Sequence, residues 1–396
     1  TLIGIWLTLV APVAAQTSAW VQTGSTGRLI YTPDAEGDRV LDFSDVGYRG
    51  RGTTAIPNDV PTVLTVSPVA GDDTASIQAA IDQVAAMPIG ADGYRGAVLL
   101  TSGTYDIHTQ IDIRASGIVL RGAGRNTGGT ILHGRNVGAE GTNQRPLVRV
   151  FGTGNLSNGS SLGNMIDKVV PVGSRSFRVN TTSGFAVGDT VRIERPSTQA
   201  WIDAIGMNTP LNGDDPWQHG TRNIRYDRVF FDAPLANSFE LQYGGGTIRN
   251  YSWAGAIENI GIENLKGDTD FDSPTDEDHA WEFIWIGGTS QTSSRAQNVW
   301  VRNIGAEHFG DSVVVANPSA KWVTVDDAVS TNPVSQITGG RRYTYDLSGD
   351  LGLVTNASAD EGRHDFINNS TRPRAPNVFH NSTATNANSD TGPHQR

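Results

Sequence analysis

Arginine, histidine, tyrosine and aspartate recur directly after glycine in the last third of this 396-residue chain. If each glycine begins a coil of a stacked β structure, the residues after it lie one above the other, about 4.8 Å apart. Stacked cationic side chains repel one another unless an anionic partner compensates them. The pattern therefore predicts a site for an anion. The segments are Gly310-Asp311-Ser312-Val313, Gly340-Arg341-Arg342-Tyr343, Gly362-Arg363-His364-Asp365 and Gly392-Pro393-His394-Gln395.

These functional groups together suit β-elimination from a uronic-acid polysaccharide. A bidentate arginine neutralises the sugar carboxylate, a histidine accepts the C5 proton, and an acid protonates the leaving oxygen. We expect His364 to be the base and Arg363 or Arg342 to neutralise the carboxylate. Tyr343 or His308 would be the acid. The other residues expected to contact substrate are Arg341, His394, Arg396, Asp311, Asp365, His279 and Glu282.

Three alternatives to elimination remain open. Glycoside hydrolysis needs two carboxyl groups flanking the scissile bond. A carbohydrate-binding protein without catalysis, such as an adhesin, would show rows of aromatic residues in place of arginine and histidine. The strip could also be a set of solvated, outward-facing strand positions. The carboxyl groups available for hydrolysis are Glu282, Asp311, Asp326, Asp327 and Asp365.

An acidic segment lies ahead of this strip, at residues 268–272, and three more carboxylates follow at residues 276–278. Alternating carboxylates are typical of calcium loops, although the glycine and the terminal glutamate spacing of an EF-hand are missing here. Calcium is therefore a candidate cation, and an exposed acidic loop is the alternative. The expected chemistry itself requires no metal and no cofactor.

The scaffold is indicated by a second repeat, in which an apolar residue and any residue precede an Asn or Asp. A polar residue that ends a short β-branched strand at such intervals is what the coils of a parallel β-helix require. We predict that these residues lie in one line, with neighbours roughly 5 Å apart. A skipped coil has room only in the first interval. The repeated positions are Asn264, Asn303, Asp327, Asn356 and Asn381.

A helix and an insertion complete the predicted architecture. Asp73 or Thr74 can cap a helix whose apolar stripe begins at Ile77, and such a helix would cover the open end of a solenoid. Residues 166–250, approximately, break the strand rhythm and predict a small β insertion. We therefore expect a lead-in and cap over residues 16–70 and a β-helix over residues 71–396.

Three motifs carry a resemblance to a known superfamily. They are Asp-Asp-Thr-x-x-Ile-Gln-x-Ala-Ile-Asp at residues 72–82, Gly-x-Val-x-Leu-x-x-Gly-Thr-Tyr at 96–105 and Gly-Ile-Val-Leu-Arg-Gly-x-Gly at 117–124. The chain from about residue 40 onward resembles pectate-lyase-superfamily proteins. That resemblance implies an all-β, right-handed parallel β-helix that acts on acidic polysaccharides. Asp326-Asp327 also resembles the paired aspartates of polygalacturonase-type hydrolases, but their Gly-His-Gly and Arg-x-Lys motifs are missing.

Composition and the N-terminus limit the partners and the location. A formal net charge of −11 argues against nucleic acid as a partner. The apolar residues 2–10, followed by small residues up to Ala15, predict a signal peptide over residues 1–15 and therefore a secreted protein with no membrane association after cleavage. With no cysteine, stability must come from packing and hydrogen bonds. We expect a monomer that is truncated at its C-terminus.

Overall fold

A computed structural model of the chain describes residues 18–50, 55–210, 215–219, 227–230, 234–369 and 376–388. The predicted signal peptide and the predicted site residues His394 and Arg396 lie outside the described residues. Within these ranges, no helix is long and apolar enough to cross a membrane.

Strands are the main regular elements of the described chain. Glycine and polar residues separate them, because such residues bend the backbone between apolar runs. The helices are α1 (Thr74–Ala85) and α2 (Gln199–Ala204), and a 3-10 helix spans Leu241–Tyr243. The strands up to the insertion are β1 (Val21–Thr23), β2 (Leu29–Tyr31), β3 (Thr62–Val66), β4 (Gly96–Leu100), β5 (Gly103–Ile107), β6 (Ile111–Ile113), β7 (Ile118–Arg121), β8 (Thr130–Gly134) and β9 (Pro146–Val150). Those of the insertion are β10 (Leu156–Asn164), β11 (Val169–Val170), β12 (Val191–Arg195), β13 (Asp227–Phe230), β14 (Phe239–Glu240) and β15 (Thr247–Trp253). After it come β16 (Ile257–Thr269), β17 (Glu282–Ile286), β18 (Ala296–Glu307), β19 (Val314–Ala316), β20 (Lys321–Thr331), β21 (Tyr345–Leu347), β22 (Leu353–Thr355), β23 (Ser358–Asp360), β24 (Phe366–Ile367), β25 (Val378–His380) and β26 (Thr383–Thr385).

Three parallel sheets form the body of the molecule, and each coil from β4 to β24 adds a strand to each of them. The first sheet contains β3, β4, β7, the first halves of β16, β18 and β20, and then β22 and β25. The second contains β5, β8, the second halves of the same long strands, and then β23 and β26. The third contains β6, β9, β17, β19, β21 and β24. This pairing confirms the predicted all-β parallel solenoid.

The repeated Asn and Asp residues lie between the first and second sheets on consecutive coils. The residues two positions before them pair directly as Ile262–Val301, Val301–Val325, Val325–Val354 and Val354–Phe379. All five Asn or Asp residues have φ between 45° and 59°, a left-handed conformation that short polar side chains tolerate. Asn303 donates to the side-chain oxygen of Asn264 (2.7 Å), and Asn381 donates to Asn356 (2.6 Å). The predicted line is confirmed, and no coil is skipped.

The interior between the sheets is apolar and close-packed. Phe283 is completely buried and lies against the main chain of Gly267, where a Cβ atom would come within 2.6 Å of the ring. At the N-terminal end, α1 buries Ile77, Ile81 and Val84 in the same core. The helix thereby covers the apolar end of the stack, as its sequence pattern predicts.

The insertion between β9 and β16 is antiparallel. Four of its strands pair in the order β10-β15-β12-β13, and β11 pairs with β14. It begins at Leu156 and ends at Trp253, where the sequence analysis expects an insertion at about 166–250. Its Tyr251 hydroxyl accepts a hydrogen bond from Arg295 of the solenoid (3.2 Å).

The N-terminal lead-in covers part of the outer face of the first sheet. There Glu263 is 1% exposed and accepts hydrogen bonds from Arg121 (2.6 Å), Arg302 (2.8 Å) and the indole of Trp300 (2.9 Å). Tyr48 of the lead-in packs edge-on against Trp300, with ring centroids 5.2 Å apart. These groups are committed to packing.

Candidate functional site

Alternate residues of the second sheet point outward and carry charge on three neighbouring coils. The period of two along a strand places His133 of β8, Lys266 and Asp268 of β16, and Glu307 of β18 on one face. Parallel pairing sets these coils side by side, although β8 and β16 are far apart in sequence. The tertiary structure thus assembles a polar surface from short, separate segments.

A glycine opens a groove in the middle of this surface. Gly305 occupies an outward position, and a Cβ atom there would come no closer than 3.5 Å to Lys266 and 3.9 Å to Arg125. The resulting cavity has a volume of about 260 Å³. It is lined by Arg125, Asn126, Lys266, Gly305, Ala306, Glu307, Val329 and Thr331.

A histidine held by a carboxylate stands at the end of β18. His308 has φ 69°, and its Nδ1–H donates to Oδ1 of Asp268 across 2.7 Å. Phe271 packs against the imidazole, with ring centroids 4.6 Å apart. Because Nδ1 carries the proton, Nε2 has the free lone pair that a proton acceptor needs.

The same Asp268 carboxylate also binds a second histidine. His133 lies with Nε2 2.8 Å from Asp270 and Nδ1 3.4 Å from Asp268. The hydrogen bond to Asp268, followed by that to Asp270, raises the pKa of His133 in spite of its burial. Burial opposes ionisation of Asp268, but the bonds from both histidines outweigh it and hold its pKa well below the usual range. Burial likewise opposes ionisation of Asp270, yet its pKa is lowered by His133.

Two flexible cations border the groove. The Lys266 ammonium lies 2.8 Å from Glu307, and both side chains are about a quarter to a third exposed, at 24% and 32%. On the opposite wall Arg125 donates to the Asp327 carboxylate at 2.8 Å and to main-chain oxygens of Ile304 and Asp327. Exposed pairs of this kind contribute roughly 0–1 kcal/mol each, so an incoming anion can compete for both cations.

One trio of side chains could hold a divalent cation. Asp268, Glu307 and His308 each bring a ligand atom within 4.8 Å of the others. An imidazole among the ligands suits a transition metal better than calcium, which takes oxygen ligands. Of the acidic loop expected to bind calcium, Asp278 instead accepts main-chain hydrogen bonds from Gly141 (2.7 Å) and Asn143 (2.8 Å). Calcium binding stays a prediction.

The residues predicted from the glycine repeat meet at one turn ahead of the third sheet. The Arg342 N–H bonds to the Gly310 oxygen, and the N–H groups of Arg363 and His364 bond to the Arg342 oxygen. The rings of Tyr343 and His364 are 5.1 Å apart. Arg342 and Arg363 are only 6% and 4% exposed, and Arg342 donates to the main-chain oxygens of Ser335 and Glu361, among other acceptors. Their catalytic roles stay predictions.

The remaining predicted residues lie in different surroundings. Arg341 forms a two-pronged ion pair with Glu277 (2.6 and 2.9 Å). Asp365 accepts from Thr344 (2.9 Å), and His279 is fully buried, where its Nε2 donates to the Val334 oxygen (2.9 Å). Among the predicted residues that the structure describes, His308 directly follows Glu307, which lines the groove.

Two buried carboxyl groups stand at the start of the third sheet. Burial raises the pKa of Glu282 to about 8, and the nearby Asp311 carboxylate adds to the effect. Burial also raises the pKa of Asp311 to about 7, with a further contribution from Asp346. At neutral pH the Glu282 side chain is therefore mainly the neutral acid, a form that can donate a proton.

The sequence patterns did not identify Arg125, Lys266 and Glu307 as groove residues or His133 as a neighbour of Asp268. Their signal is the alternation of charged residues on strands, as in Lys266-x-Asp268-x-Asp270. Which strands are neighbours could not be read, because the insertion separates β8 from β16.

The fold and the site define a parallel β-helix protein with an open, charged groove on its second sheet. No family model and no curated protein matches the chain. Among solved structures it is similar to a tailspike of Acinetobacter baumannii bacteriophage AP22 in complex with a capsular saccharide (10% identity, 79% of this chain and 51% of that one, TM-score 0.30). It is also similar to a PL6-family alginate lyase (8% identity, 92% of this chain and 36% of that one, TM-score 0.34). A third similar structure is the A-module of an Azotobacter vinelandii mannuronan C-5 epimerase (12% identity, 81% of this chain and 57% of that one, TM-score 0.20). The chain thus spans between 36% and 57% of these structures, and the fold assignment rests on its own strand pairing.

Proposed function

We propose that the protein cleaves an acidic polysaccharide by β-elimination in the groove of the second sheet. The observation that carries the proposal is the Asp268–His308 pair, which lies beside Glu307, and Glu307 is a lining residue of the open cavity that Lys266 and Arg125 border. Removal of a proton next to a sugar carboxylate requires a base and a cation that binds the carboxylate, and the imidazole and the two cations can supply them.

The substrate carboxylate binds between the two cations. Arg125 uses part of its guanidinium for Asp327 and main-chain oxygens, and its remaining N–H donors can reach an anion. Lys266 has three N–H donors and one carboxylate neighbour, Glu307. Neutralising the sugar carboxylate makes the adjacent C5 proton more acidic.

The elimination then needs two proton transfers. His308 Nε2 takes the C5 proton, the electron pair of the C–H bond forms the C4–C5 double bond, and the C4–O bond breaks. The leaving oxygen takes a proton from the Lys266 ammonium. Asp268 keeps His308 in the tautomer that accepts at Nε2 and stabilises the imidazolium that forms.

The ionisation of Asp268 and Asp270 argues against their use as the acid of a hydrolase. A hydrolase needs one protonated carboxyl group as acid. Asp268 and Asp270 both have lowered pKa values, so they are ionised at neutral pH and cannot fill that role.

Blocking the cavity tests the proposal. The wild-type chain should release unsaturated products, measured by ultraviolet absorbance, from alginate or polygalacturonate. Gly305→Leu should abolish this activity while Gly305→Ala retains it, because only the longer side chain fills the cavity. Gly305 is not in the left-handed region, so both variants should fold. Equal activity of wild type and Gly305→Leu would exclude this groove.

Hydrolysis at the turn is the second candidate, and the raised pKa values of Glu282 and Asp311 favour it. A buried, protonated glutamate beside an aspartate offers the acid and the carboxylate that glycoside hydrolysis uses. This enzyme would release saturated sugars, and Glu282→Gln would inactivate it. Saturated products from the wild-type chain would overturn the lyase proposal.

The sequence-based assignment of His364 as base is tested in parallel. The His364 assignment places catalysis at the turn ahead of the third sheet, where Arg363 is buried. The groove proposal places catalysis at His308, whose side chain is 23% exposed. Whichever of His364→Ala and His308→Ala abolishes product formation identifies the base. Secretion and a monomeric state are proposed on the sequence grounds given above.

A further inference from the structure

An arginine and two aromatic residues form a second surface, on the outer face of the third sheet. Asp112, Arg149 and Trp285 are register neighbours on β6, β9 and β17. Phe151 follows Arg149 by two residues and lies under its guanidinium, which is 4.0 Å from the ring centroid. We call Arg149, Phe151 and Trp285 the third-sheet platform.

Arg149 forms no ion pair within the described residues, and the carboxylate of its register neighbour Asp112 is bound by Arg114. No carboxylate or carbonyl there accepts a hydrogen bond from it, and its Nε is buried without an acceptor. Other arginines of the same coils are bound: Arg145 donates to several main-chain oxygens, and Arg135 pairs with Asp106 and Asp270. In a chain with net charge −11, an arginine without a carboxylate partner is suited to bind an external anion.

Stacking prepares both the arginine and the tryptophan for such a ligand. Contact with Phe151 uses the face of the Arg149 guanidinium and leaves its terminal N–H groups in the plane, where they can bind a carboxylate. The half-buried indole of Trp285 donates to the Gly287 oxygen (2.8 Å), which fixes the ring. A fixed, partly exposed aromatic ring offers an apolar surface against which the face of a sugar ring can stack.

We infer that the third-sheet platform is a second binding site for a carboxylated polysaccharide, separate from the groove. The sugar carboxylate binds Arg149, and a neighbouring sugar ring packs on Trp285. The inference rests on the proposed substrate class but not on catalysis, because the platform lies on the third sheet and the groove on the second. Its role is to hold the long polymer while the groove acts on one bond.

Affinity electrophoresis through gels that contain alginate or polygalacturonate tests the platform. Arg149→Ala and Trp285→Ala should each weaken the retardation of the protein by roughly tenfold in apparent affinity, the size of one charge-assisted contact. Arg149→Lys should be intermediate, because it keeps the charge but loses the planar fork. The matched control is Arg178→Ala, which removes the same charge from an exposed arginine that pairs with Asp167.

Activity and folding measurements separate the outcomes. The unfolding temperature of each variant is first compared with that of the wild type. If Arg149→Ala unfolds at a lower temperature, Arg149→Lys is used in its place. Cleavage of short oligosaccharides should be unchanged in the platform variants. A wild-type chain that binds both polymers without cleaving them contradicts the proposed function and leaves the platform intact. The platform is overturned if the wild type is not retarded, if Arg178→Ala has the same effect as Arg149→Ala, or if Gly305→Leu alone removes all binding.

Discussion

At the scale of single residues, the partner of each ionisable group decides what it can do. His133 is bound by carboxylates through both ring nitrogens, which raises its pKa and commits both N–H groups. Among the described residues, His308 is hydrogen-bonded through Nδ1, to Asp268, and Nε2 has no partner. Two histidines that share Asp268 therefore differ in chemistry, and only His308 has the free nitrogen that a base requires.

His308→Ala is expected to lower kcat by about 10²–10⁴-fold with little change in polymer binding, because a base acts in the transition state. Asp268→Asn should also lower kcat, since an amide cannot stabilise the imidazolium. Steady-state kinetics on alginate or polygalacturonate, together with direct binding measurements, check both. Arg178→Ala, which removes an exposed arginine of the insertion that pairs with Asp167, is the control. A His308→Ala variant with wild-type kcat would rule out this residue as the base.

Glu282→Gln should stabilise the protein at alkaline pH. Between its ordinary pKa of 4.5 and the raised value of about 8, the folded chain holds a proton that the unfolded chain releases. The free energy of unfolding therefore falls as pH rises through this window, by up to about 1.4 kcal/mol per pH unit. Glutamine has no such proton, so the gain over wild type should be larger at pH 8.5 than at pH 5.

Urea unfolding at several pH values measures this difference. The control, Glu277→Gln, should behave in the opposite way: the hydrogen bond from Arg341 lowers the Glu277 pKa, so its loss costs stability at neutral pH and less in acid. A pH-independent effect of Glu282→Gln would show that the carboxyl group is not buried as described.

At the scale of elements, the coils are joined by a column of left-handed asparagines. Each position needs a residue that accepts positive φ and can also bond to the next coil, and only Asn does both well. At Asp327 the side-chain hydrogen bonds of the column are interrupted. Asn356 donates to Asp326 (2.8 Å) and not to Asp327, and the Asp327 carboxylate accepts a hydrogen bond from Arg125. The break in the column thereby supplies an anchor for a cation of the groove.

Replacing Asn303, which has φ 49°, separates the two requirements. Asn303→Gly should cost about 0.5–1.5 kcal/mol, the value of the lost hydrogen bond to Asn264. Asn303→Ala should be less stable than the glycine variant by about 1 kcal/mol, because alanine also pays for the left-handed backbone. Chemical denaturation measures both. Equal stability of the two variants would contradict the assigned backbone conformation.

At the scale of the whole molecule, the solenoid is a nearly one-dimensional stack in which each coil contacts only its neighbours. The long strands β16, β18 and β20 lie between coils on both sides, whereas β25 and β26 pair on one side within the described residues. Strand β26 is exposed throughout. Stability should therefore decrease along the stack toward this end.

Hydrogen exchange measured by mass spectrometry should follow this gradient. Amides of β18 are expected to exchange slowest, those of β22 and β23 faster, and those of β25 and β26 fastest, because local opening costs least where a coil has one neighbour. Uniform protection along the stack would mean that further chain or a partner covers the final coil.

The sequence by itself determined the architecture of this protein. The Asn and Asp repeat, the capping helix and the apolar strands depend on local backbone chemistry, so their pattern can be read directly, and the structure confirms the stack. The glycine repeat likewise predicts that Arg342, Tyr343, Arg363 and His364 meet at one turn, because a repeat fixes which residues face their neighbours. How deeply each is buried does not, because it depends on the loops that cover it.

Only the tertiary structure decided where a groove exists. His133 reaches Asp268 because β8 pairs with β16 across the insertion, and the insertion hides that register from any reading of spacing. Lys266 and Glu307 meet because β16 pairs with β18. Glycine at position 305 opens a cavity only because its neighbours are long side chains on adjacent coils. Contacts between distant strands, rather than residue types, set which charges are paired, which carboxyl groups keep a proton and which histidine is left with a free nitrogen.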